Sequence, residues 1–280
     1  MTLARAGQLI ADASLRGRAV PAFNVLSLEQ AEGVVEGARD AGVPTLLQIS
    51  QNAIRYHGGF APLLAACREL AETAGIPVGL HVDHLEDRQL ALAVIEKAEA
   101  LGIGSLMFDA ATLRYDENVA VTREIAEAAH RRGLWVEGEL GEVGGKNGAH
   151  TPGVRTDPDE AAAFVAATGI DALAVAVGSE HAMVDRSAEL DLALIERLAA
   201  RVPVPLVLHG SSGVADDLLE AAVVAGMRKI NIGTALAVAA TVRLRRELAL
   251  QPDVVDPRSY SRGPRDEVRA VVAHLAALVG

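Results

Sequence analysis

The amino-acid sequence predicts one large (β/α)8 TIM barrel, and three observations support this fold class. Short apolar runs alternate with amphipathic helical stretches eight times along the 280-residue chain. The runs are apolar on both faces, which is typical of parallel strands covered by helices. Barrels of this class commonly reach this length as one unit. The predicted strands cover residues 19–25, 44–50, 77–83, 105–108, 134–139, 172–177, 205–209 and 229–232.

Helical patterns separate the predicted strands, and most of them end at a recognisable stop signal. Glycine just past a helix end is the usual boundary, and proline marks the start of several of the following strands. The predicted helices cover residues 27–41, 61–74, 87–101, 117–132, 157–168, 190–201, 215–225 and 234–249, with a further helix near 266–278. We therefore predict a single domain over residues 1–280 with a C-terminal helical extension. A doubly wound open sheet is the alternative fold.

Composition limits the classes of partner. Half of the residues are hydrophobic but only 3% are aromatic, which suits closely packed helices more than a β-sandwich. The net charge of −11 argues against a surface that binds nucleic acid or an anionic membrane. Any phosphate site must therefore be local. The single cysteine, Cys67, cannot form an internal disulfide, and the sequence shows neither a signal-peptide core nor a membrane-length apolar stretch, so we expect a cytoplasmic protein.

Polar side chains concentrate at the carboxyl ends of the predicted strands, where the active sites of TIM barrels form. A chance distribution would place such groups at both ends of the strands and on the helices. The residues in chain order are Asn24, Ser50, Asp83, His84, Asp109, Glu137, Glu139, His181, His209, Gly210, Ser211, Ser212 and Asn231. This concentration predicts an enzyme, and we expect Asn24 and Ser50 to contact its substrate.

Three histidines among these strand ends predict a catalytic metal site. His84, His181 and His209 each lie at or just past the end of a different predicted strand. Three imidazoles with one coordination position left open are typical of catalytic zinc, whereas structural zinc sites are closed and normally use cysteine. Taken singly, each could instead be a hydrogen-bonded loop histidine. Strand alternation places His81 one layer deeper, so we interpret it as a structural neighbour of the site.

Acidic residues beside these histidines predict proton transfer and a second cation site. A carboxylate next to a bound metal is well placed to move a proton, so Asp83 is the predicted acid–base residue. Its alternative role is to accept a hydrogen bond from a metal ligand. Asp109 and Glu139 end the next two strands and would hold a second cation or orient the first ligands. Glu137 shares the strand parity of Glu139, so one of the two is expected to pack in a polar barrel layer.

Two turns after the seventh and eighth strands predict a phosphate site. Gly210-Ser-Ser-Gly213 precedes an apolar helix, and Asn231-Ile-Gly-Thr234 precedes the last barrel helix. Both turns offer backbone N–H groups at a helix N-terminus, where anions bind favourably. Phosphate sites after these two strands recur in barrels. The predicted contacts are Gly210, Ser211, Ser212, Asn231, Ile232, Gly233 and Thr234.

Segments spread along nearly the whole chain match the motifs of one known family. They are Ala19-Val-Pro-Ala-Phe-Asn24, His81-Val-Asp-His84, Val136-Glu-Gly-Glu-Leu-Gly141 with Gly144-Gly145, Leu208-His-Gly-Ser-Ser-Gly213, Lys229-Ile-Asn-Ile-Gly-Thr234 and Asp256-Pro-Arg258. With these segments the sequence resembles the class II, zinc-dependent ketose-bisphosphate aldolases, the group that contains fructose-1,6-bisphosphate and tagatose-1,6-bisphosphate aldolases. The combination is specific for the family and much less so for the substrate.

The resemblance implies a reaction and a set of roles. Family members cleave a phosphorylated ketose to dihydroxyacetone phosphate and an aldehyde, and a zinc ion polarises the ketone. Asp83 would move the proton of the hydroxyl on the carbon that becomes the aldehyde. Asp109 and Glu139 match positions that hold a second metal in some members. The implied ligands of the catalytic zinc are His84, His181 and His209.

The resemblance also implies substrate contacts and an oligomer. The turns at residues 210–212 and 231–234 would bind the dihydroxyacetone phosphate portion of the substrate. Arg258 would reach across to the second substrate phosphate in a neighbouring subunit, so a homodimer or homotetramer is implied. The expected partner is a small phosphosugar, with neither nucleic acid nor membrane.

The sequence departs from the family pattern at two places. The loop after Gly144-Gly145 usually carries an acidic residue that exchanges a proton with the carbon of the bound enediolate, and residues 146–150 contain none. We predict that His150 takes this role, with Glu142 or water as alternatives. The metal histidine on the sixth strand is normally followed by glycine, and here Ala182 follows it.

Other functions remain open from the sequence alone. One is an aldolase of this family that acts on another phosphorylated keto-sugar or keto-acid, such as an intermediate of inositol breakdown. Another is a non-catalytic barrel that binds metal or sugar phosphate. A third is a metal-independent phosphosugar isomerase, which would share the barrel and the phosphate turns without needing three converging histidines.

Overall fold

The computed structural model describes residues 3–141, 154–180 and 183–280. Its centre is a closed barrel of eight parallel strands, which confirms the predicted TIM barrel and rules out the open sheet. Each strand pairs with the next one along the chain, and the last pairs with the first. The barrel strands are β2 (Val20–Asn24), β3 (Thr45–Ser50), β4 (Val78–Leu85), β5 (Ser105–Phe108), β6 (Trp135–Leu140), β7 (Ala172–Val175), β8 (Leu206–Leu208) and β9 (Met227–Ile232). A short strand β1 (Leu3–Ala4) pairs with the start of β4.

Helices cover the outside of the barrel at the predicted positions. They are α1 (Ala6–Leu15), α2 (Leu28–Ala41), α3 (Gln51–His57), α4 (Ala61–Thr73), α5 (Arg88–Leu101), α6 (Tyr115–His130), α7 (Pro158–Thr168), α8 (Leu192–Arg201), α9 (Asp216–Ala225), α10 (Thr234–Leu250) and α11 (Pro257–Val279). A 3₁₀ turn at Ser211–Gly213 precedes α9. None of the helices in the described ranges is both long and apolar enough to span a bilayer.

The boundaries of the barrel helices follow from local chemistry. Ser27 and Asp87 accept hydrogen bonds from the first N–H groups of α2 and α5. Gly42, Gly102 and Gly169 end α2, α5 and α7 in the left-handed conformation, with φ values of 68°, 70° and 71°. Such caps satisfy backbone groups that the helix itself cannot pair. These caps determine the residue at which each helix begins or ends.

Two helices and part of a third differ from the sequence expectation. The sequence pattern does not predict α1, whose Leu9, Ile10 and Ala13 pack with β2 and β3 in a separate apolar cluster. It also does not predict the short α3. The C-terminal helix begins at residue 257 and not near 266, because Asp256 caps it and accepts a hydrogen bond from the Arg258 N–H. An internal proline, which normally interrupts a helix, hides this start in the sequence.

The C-terminal helix packs closely on α2 because two glycines face it. A methyl group on Gly37 would lie 2.8 Å from the β-carbon of Val272, and one on Gly33 would lie 3.0 Å from a methyl carbon of Val268. Both valines are fully buried. The extension is therefore part of the barrel's outer core, and it closes the layer beside the first strand.

Candidate active site

The carboxyl ends of the strands surround a cavity of about 230 Å³. A TIM barrel places its chemistry at this end because the loops that follow the strands converge there. The lining residues are Asn24, Ser50, Asp83, His84, Glu180, His209, Gly210, Ser212, Asn231, Gly233 and Thr234. The structure thus brings together most of the polar strand-end residues singled out in the sequence.

The end of β4 is irregular, and the irregularity places two neighbouring side chains on one cavity. In a regular strand consecutive side chains point to opposite faces. His84 has a φ of 48°, a left-handed conformation that is uncommon outside glycine. The pairing of β4 with β5 shifts register between Val82 and Leu85. The distortion lets Asp83 and His84 both line the cavity. Backbone strain of this kind is typical of functional sites.

Hydrogen bonds fix which ring nitrogens of the two cavity histidines carry protons. His209 donates from Nε2 to the Glu137 carboxylate over 2.8 Å, and His84 donates from Nδ1 to the Asp109 carboxylate over 3.0 Å. An ionised carboxylate only accepts hydrogen bonds, so these nitrogens hold the hydrogen atoms. When both rings are neutral, each keeps one lone pair, on Nδ1 of His209 and on Nε2 of His84.

The two lone pairs face each other across 2.9 Å. Two acceptors at this distance repel unless a proton or a metal cation lies between them. Nitrogen ligands about 2.0–2.1 Å from a tetrahedral zinc lie about 3.3 Å apart, close to this separation. Candidate ligand atoms of Asp83, His84 and His209 all lie within 4.8 Å of one another. The geometry therefore fits a metal site at the position that the sequence predicts.

Charge and burial keep the proposed ligands in the state that binds metal. Burial lowers the pKa of His209 to about 4, although Glu137 opposes the change. The ring is therefore neutral near neutral pH. Burial alone would raise the pKa of Glu137, but the ammonium group of Lys229 and the hydrogen bond and charge offered by His209 together outweigh this effect and lower it. Lys229 donates to Glu137 over 2.7 Å, and both side chains are fully buried. Glu137 is thus the packed member of the glutamate pair, and its ionised oxygens accept from both neighbours.

Asp83 lies beside the two histidines and is oriented by amides. Its Oδ2 accepts a hydrogen bond from Asn24 over 2.7 Å, and Asn24 in turn accepts one from Gln48 over 3.1 Å. The same Oδ2 lies 4.0 Å from Nε2 of His84, beyond hydrogen-bond range. Burial raises the pKa of Asp83, but the positive charge available on His84, His209 and Lys229 outweighs it and lowers that pKa far below the usual range. The carboxylate is therefore ionised near neutral pH and is held at the cavity wall.

A second group of potential ligands lies behind the first. Atoms of His84, Asp109 and Glu139 lie within 4.8 Å of one another, and two of these residues are buried. Below them, His81 is fully buried and contacts the Ser105 hydroxyl over 2.8 Å. Its Nε2 lies 3.8 Å from Oδ1 of Asp83, beyond hydrogen-bond range.

The predicted phosphate turns meet at the start of α10. This helix begins at Thr234, and its first turn lies next to the cavity, where the positive end of the helix dipole favours an anion. Ser212 accepts a hydrogen bond from the Ala235 N–H over 3.0 Å. Gly210 has a φ of 67°, and a side chain there would collide with the backbone of Glu180. Glycine is therefore required at this turn.

Not every predicted substrate contact reaches the cavity. Ser211 is buried and donates to the Asn231 carbonyl over 2.5 Å, so it ties the two turns together. Ile232 is buried in the apolar core. Arg258 is exposed at the start of α11, where it pairs with Asp256 at 2.7 Å. These three residues do not line the cavity of this chain.

Several predictions fall on residues outside the described ranges. The third proposed ligand, His181, and the Ala182 that follows it belong to this group, as do the loop candidates Glu142 and His150. The neighbouring Ser179 is described and donates to the His209 carbonyl over 2.6 Å. The described part of the β7 loop thus already contacts the metal-site strand.

Sequence reasoning missed three residues that contribute to this site. Gln48 and Lys229 lie inside strands, and the sequence pattern marks only strand ends. Their one available signal is a polar residue within an otherwise apolar run. Glu180 lines the cavity directly before His181, in a segment that reads as a loop. An acidic residue beside a predicted ligand is the signal that would have found it.

Comparison with known proteins agrees with this geometry. A family model described as "Fructose-bisphosphate aldolase class-II" matches residues 4–280. A fructose-bisphosphate aldolase of Geobacillus stearothermophilus is 36% identical over 264 residues, covering 92% of this chain and 91% of that protein. The D-tagatose-1,6-bisphosphate aldolase subunit GatY of Klebsiella oxytoca is 35% identical over 268 residues, covering 94% of this chain and 93% of that protein.

Solved structures show the same relationship. The YdjI aldolase of Escherichia coli K12 superposes with a TM-score of 0.83 at 31% identity, covering 99% of this chain and 97% of that one. A putative fructose-1,6-bisphosphate aldolase of Coccidioides immitis gives a TM-score of 0.86 at 26% identity, covering 98% of this chain and 96% of that one. These matches contradict the interpretations as a non-catalytic barrel and as an isomerase. The chain belongs to the class II fructose-bisphosphate aldolase family and is an enzyme of the aldolase type, a carbon–carbon lyase.

Proposed function

We propose that this enzyme cleaves a phosphorylated ketose reversibly to dihydroxyacetone phosphate and an aldehyde, with zinc as its catalytic metal. Fructose-1,6-bisphosphate and tagatose-1,6-bisphosphate are the first substrates to test, because two relatives at about 35% identity carry those names. The observation that carries the proposal is the pair of facing lone pairs on His84 and His209, with the ionised Asp83 beside them.

The metal site is proposed to consist of His84, His209 and His181. When bound there, zinc would polarise the ketone oxygen and stabilise the negative charge that develops on cleavage, so no lysine Schiff base is needed. Glu137 and Asp109 hold the two described imidazoles in the tautomers that direct their lone pairs toward each other. Asp109 and Glu139 would hold a second cation beside His84.

Asp83 is proposed to carry out the proton transfer of the cleavage step. It would take the proton from the hydroxyl on the carbon that becomes the aldehyde, and return it in the condensation direction. The carboxylate is ionised, as a proton acceptor must be, and Asn24 orients it. Ser50 lines the same wall, where its hydroxyl also caps α3.

The phosphate of the dihydroxyacetone portion is proposed to bind at the first turn of α10. Gly210, Ser212, Gly233 and Thr234 line the cavity there, and Asn231 lies against the His209 ring. The net charge is negative, so this local arrangement of backbone N–H groups supplies the attraction that the protein surface does not. Ser211 and Ile232 would act by shaping these turns.

The remaining sequence assignments are also proposals. Arg258 is exposed, as a residue that serves a neighbouring subunit must be, and a homodimer or homotetramer would allow it to do so. His150, or else Glu142, would exchange the proton on the carbon of the enediolate. A cytoplasmic location is proposed as well.

The test is a substrate panel with the metal under control. Protein stripped with a chelator should be inactive, and one equivalent of zinc should restore cleavage. Ketose mono- and bisphosphates are compared by enzymatic reduction of the dihydroxyacetone phosphate that is released, followed by NADH absorbance. Full activity in metal-free protein would refute the metal mechanism, and release of no dihydroxyacetone phosphate from any member of the panel would refute the reaction.

A further inference from the structure

A buried ion pair lies inside the barrel beneath the proposed metal site. Lys229 on β9 and Glu137 on β6 meet at 2.7 Å, and neither side chain has any exposed surface. A buried ion pair is weak support for stability, since well-packed apolar residues of similar volume are often as stable or more so. Its presence in the barrel therefore calls for another physical role.

The pair controls the hydrogen bond that Glu137 accepts from the proposed ligand His209. A lysine ammonium group can only donate hydrogen bonds, so Glu137 faces it with an accepting oxygen, Oε2. The other oxygen, Oε1, is left to accept from Nε2 of His209 over 2.8 Å. Because both carboxylate oxygens accept, the hydrogen atom of the neutral His209 ring must be on Nε2.

The tautomer decides whether His209 can bind a cation. With the hydrogen on Nε2, the lone pair of Nδ1 points at Nε2 of His84, 2.9 Å away. With the hydrogen on Nδ1, an N–H group would occupy the space between the two rings and donate to His84. The opposite tautomer would thus replace the metal site with a histidine–histidine hydrogen bond.

We propose that Lys229 and Glu137 form a positioning pair that holds His209 in the Nε2–H tautomer and thereby sets the affinity of the site for metal. The proposal rests on the proposed metal site, but the tautomer itself exists without metal. Lys229 acts only through Glu137, and Glu137 only through His209. Neither residue touches the substrate cavity.

The first measurement follows the tautomer in metal-free protein. The ¹⁵N chemical shifts of the His209 ring distinguish the two neutral tautomers, and a His209→Gln variant assigns the signals. Wild-type protein should show Nε2–H. Glu137→Gln keeps the shape of the side chain but can present either an oxygen or an N–H group, so a mixture of tautomers is expected. A wild-type spectrum in Glu137→Gln would overturn the proposal.

The second measurement is the zinc dissociation constant, obtained by competition with a chromophoric chelator. Loss of a residue that orients a metal ligand typically weakens binding about 10–100-fold, and this range is expected for Glu137→Gln and Lys229→Met. Thr45→Val is the matched control, because Thr45 is equally buried and its hydroxyl donates to the Pro21 carbonyl away from the site. The zinc affinity of Thr45→Val should equal that of the wild type. Unchanged affinity in both pair variants would also overturn the proposal.

A double variant keeps the test decisive if a single change prevents folding. Glu137→Leu with Lys229→Met removes both charges together, which a barrel interior tolerates better than one unpaired charge. It should fold, show mixed His209 tautomers and bind zinc weakly; wild-type behaviour would refute the positioning role. Wild-type protein that bound no zinc but held the Nε2–H tautomer would refute the proposed metal site. It would leave intact the inference that Lys229 and Glu137 fix the tautomer of His209.

Discussion

Replacing Asp83 by asparagine should abolish most cleavage while leaving the metal in place. The change keeps the size of the side chain. It also keeps the hydrogen bond from Asn24, which is 2.7 Å long in the wild-type structure, because the amide oxygen of asparagine still accepts. It removes the group that receives the hydroxyl proton. General acid–base groups contribute about 10²–10⁴-fold to a rate, so kcat should fall by that factor, equivalent to about 3–5 kcal/mol of transition-state stabilisation.

Metal content separates this role from metal binding. Oδ2 of Asp83 lies 4.0 Å from Nε2 of His84, and His84 and His209 face each other at 2.9 Å. If the three histidines supply the ligands, as proposed, Asp83 moves protons without contributing a ligand atom. Metal content, measured by atomic absorption, should therefore stay at the wild-type ratio in Asp83→Asn and fall in His209→Ala.

A carboxylate-to-amide change outside the cavity provides the control. Asp87 caps α5 through hydrogen bonds to the Gln89 and Leu90 N–H groups, and asparagine caps helices about equally well. Asp87→Asn should keep full activity and thermal stability. The reasoning about Asp83 is wrong if Asp83→Asn cleaves substrate at the wild-type rate, or if it loses zinc as readily as His209→Ala does.

Three further outcomes are expected. His209→Ala should remove zinc and activity while the circular dichroism spectrum of the barrel is unchanged; retained zinc would refute its role as a ligand. Exchange of solvent deuterium into dihydroxyacetone phosphate should fall in His150→Ala and persist in Glu142→Ala, and the reverse pattern would assign the proton to Glu142. Metal-free protein should lose stability as the pH falls from about 7 to about 5. Burial lowers the pKa of His81 to about 3 in the folded protein, whereas in the unfolded chain His81 binds a proton near its reference pKa of 6.5. His81 alone contributes about 2 kcal/mol over this interval, so urea unfolding should show a shallower pH slope in His81→Gln.

The sequence was sufficient to predict the barrel fold, because each strand is marked by a pattern of neighbouring residues. An apolar run that is followed by a polar residue and a helical pattern describes one strand–helix unit, and eight such units leave little choice of fold. The helix α1 was not predicted because it precedes the first barrel strand and so belongs to no strand–helix unit. The single-domain boundaries, the third ligand His181 and the loop residue His150 stay predictions.

The hydrogen bonds that support the site could not be predicted from the sequence, because they join residues that are far apart in the chain. Lys229 and Glu137 are 92 positions apart, and Gln48 reaches Asp83 only through Asn24. Each lies inside a strand whose neighbours in the barrel are known only after the barrel closes. The left-handed backbone at His84 is equally hidden, since nothing in the sequence His81-Val-Asp-His84 marks a break in strand alternation.

The distribution of unsatisfied polar atoms indicates where this barrel has been shaped for binding and not for stability. A buried polar atom without a hydrogen bond costs about 1–3 kcal/mol, so most such atoms in folded proteins find partners. In the described parts of the chain, five buried side-chain atoms lack one, and four belong to Gln48, His81, Asp83 and Asn231. Gln48 reaches Asp83 through Asn24, His81 lies 3.8 Å from Asp83, and Asn231 contacts His209. Asp83 and Asn231 line the cavity, where the hydroxyl groups of a bound substrate can donate to their unpaired oxygens, so ligand binding should stabilise this end of the barrel first. Hydrogen exchange should therefore show added protection at the ends of β3, β4 and β9 when zinc and dihydroxyacetone phosphate bind, and uniform protection around the barrel would contradict this argument.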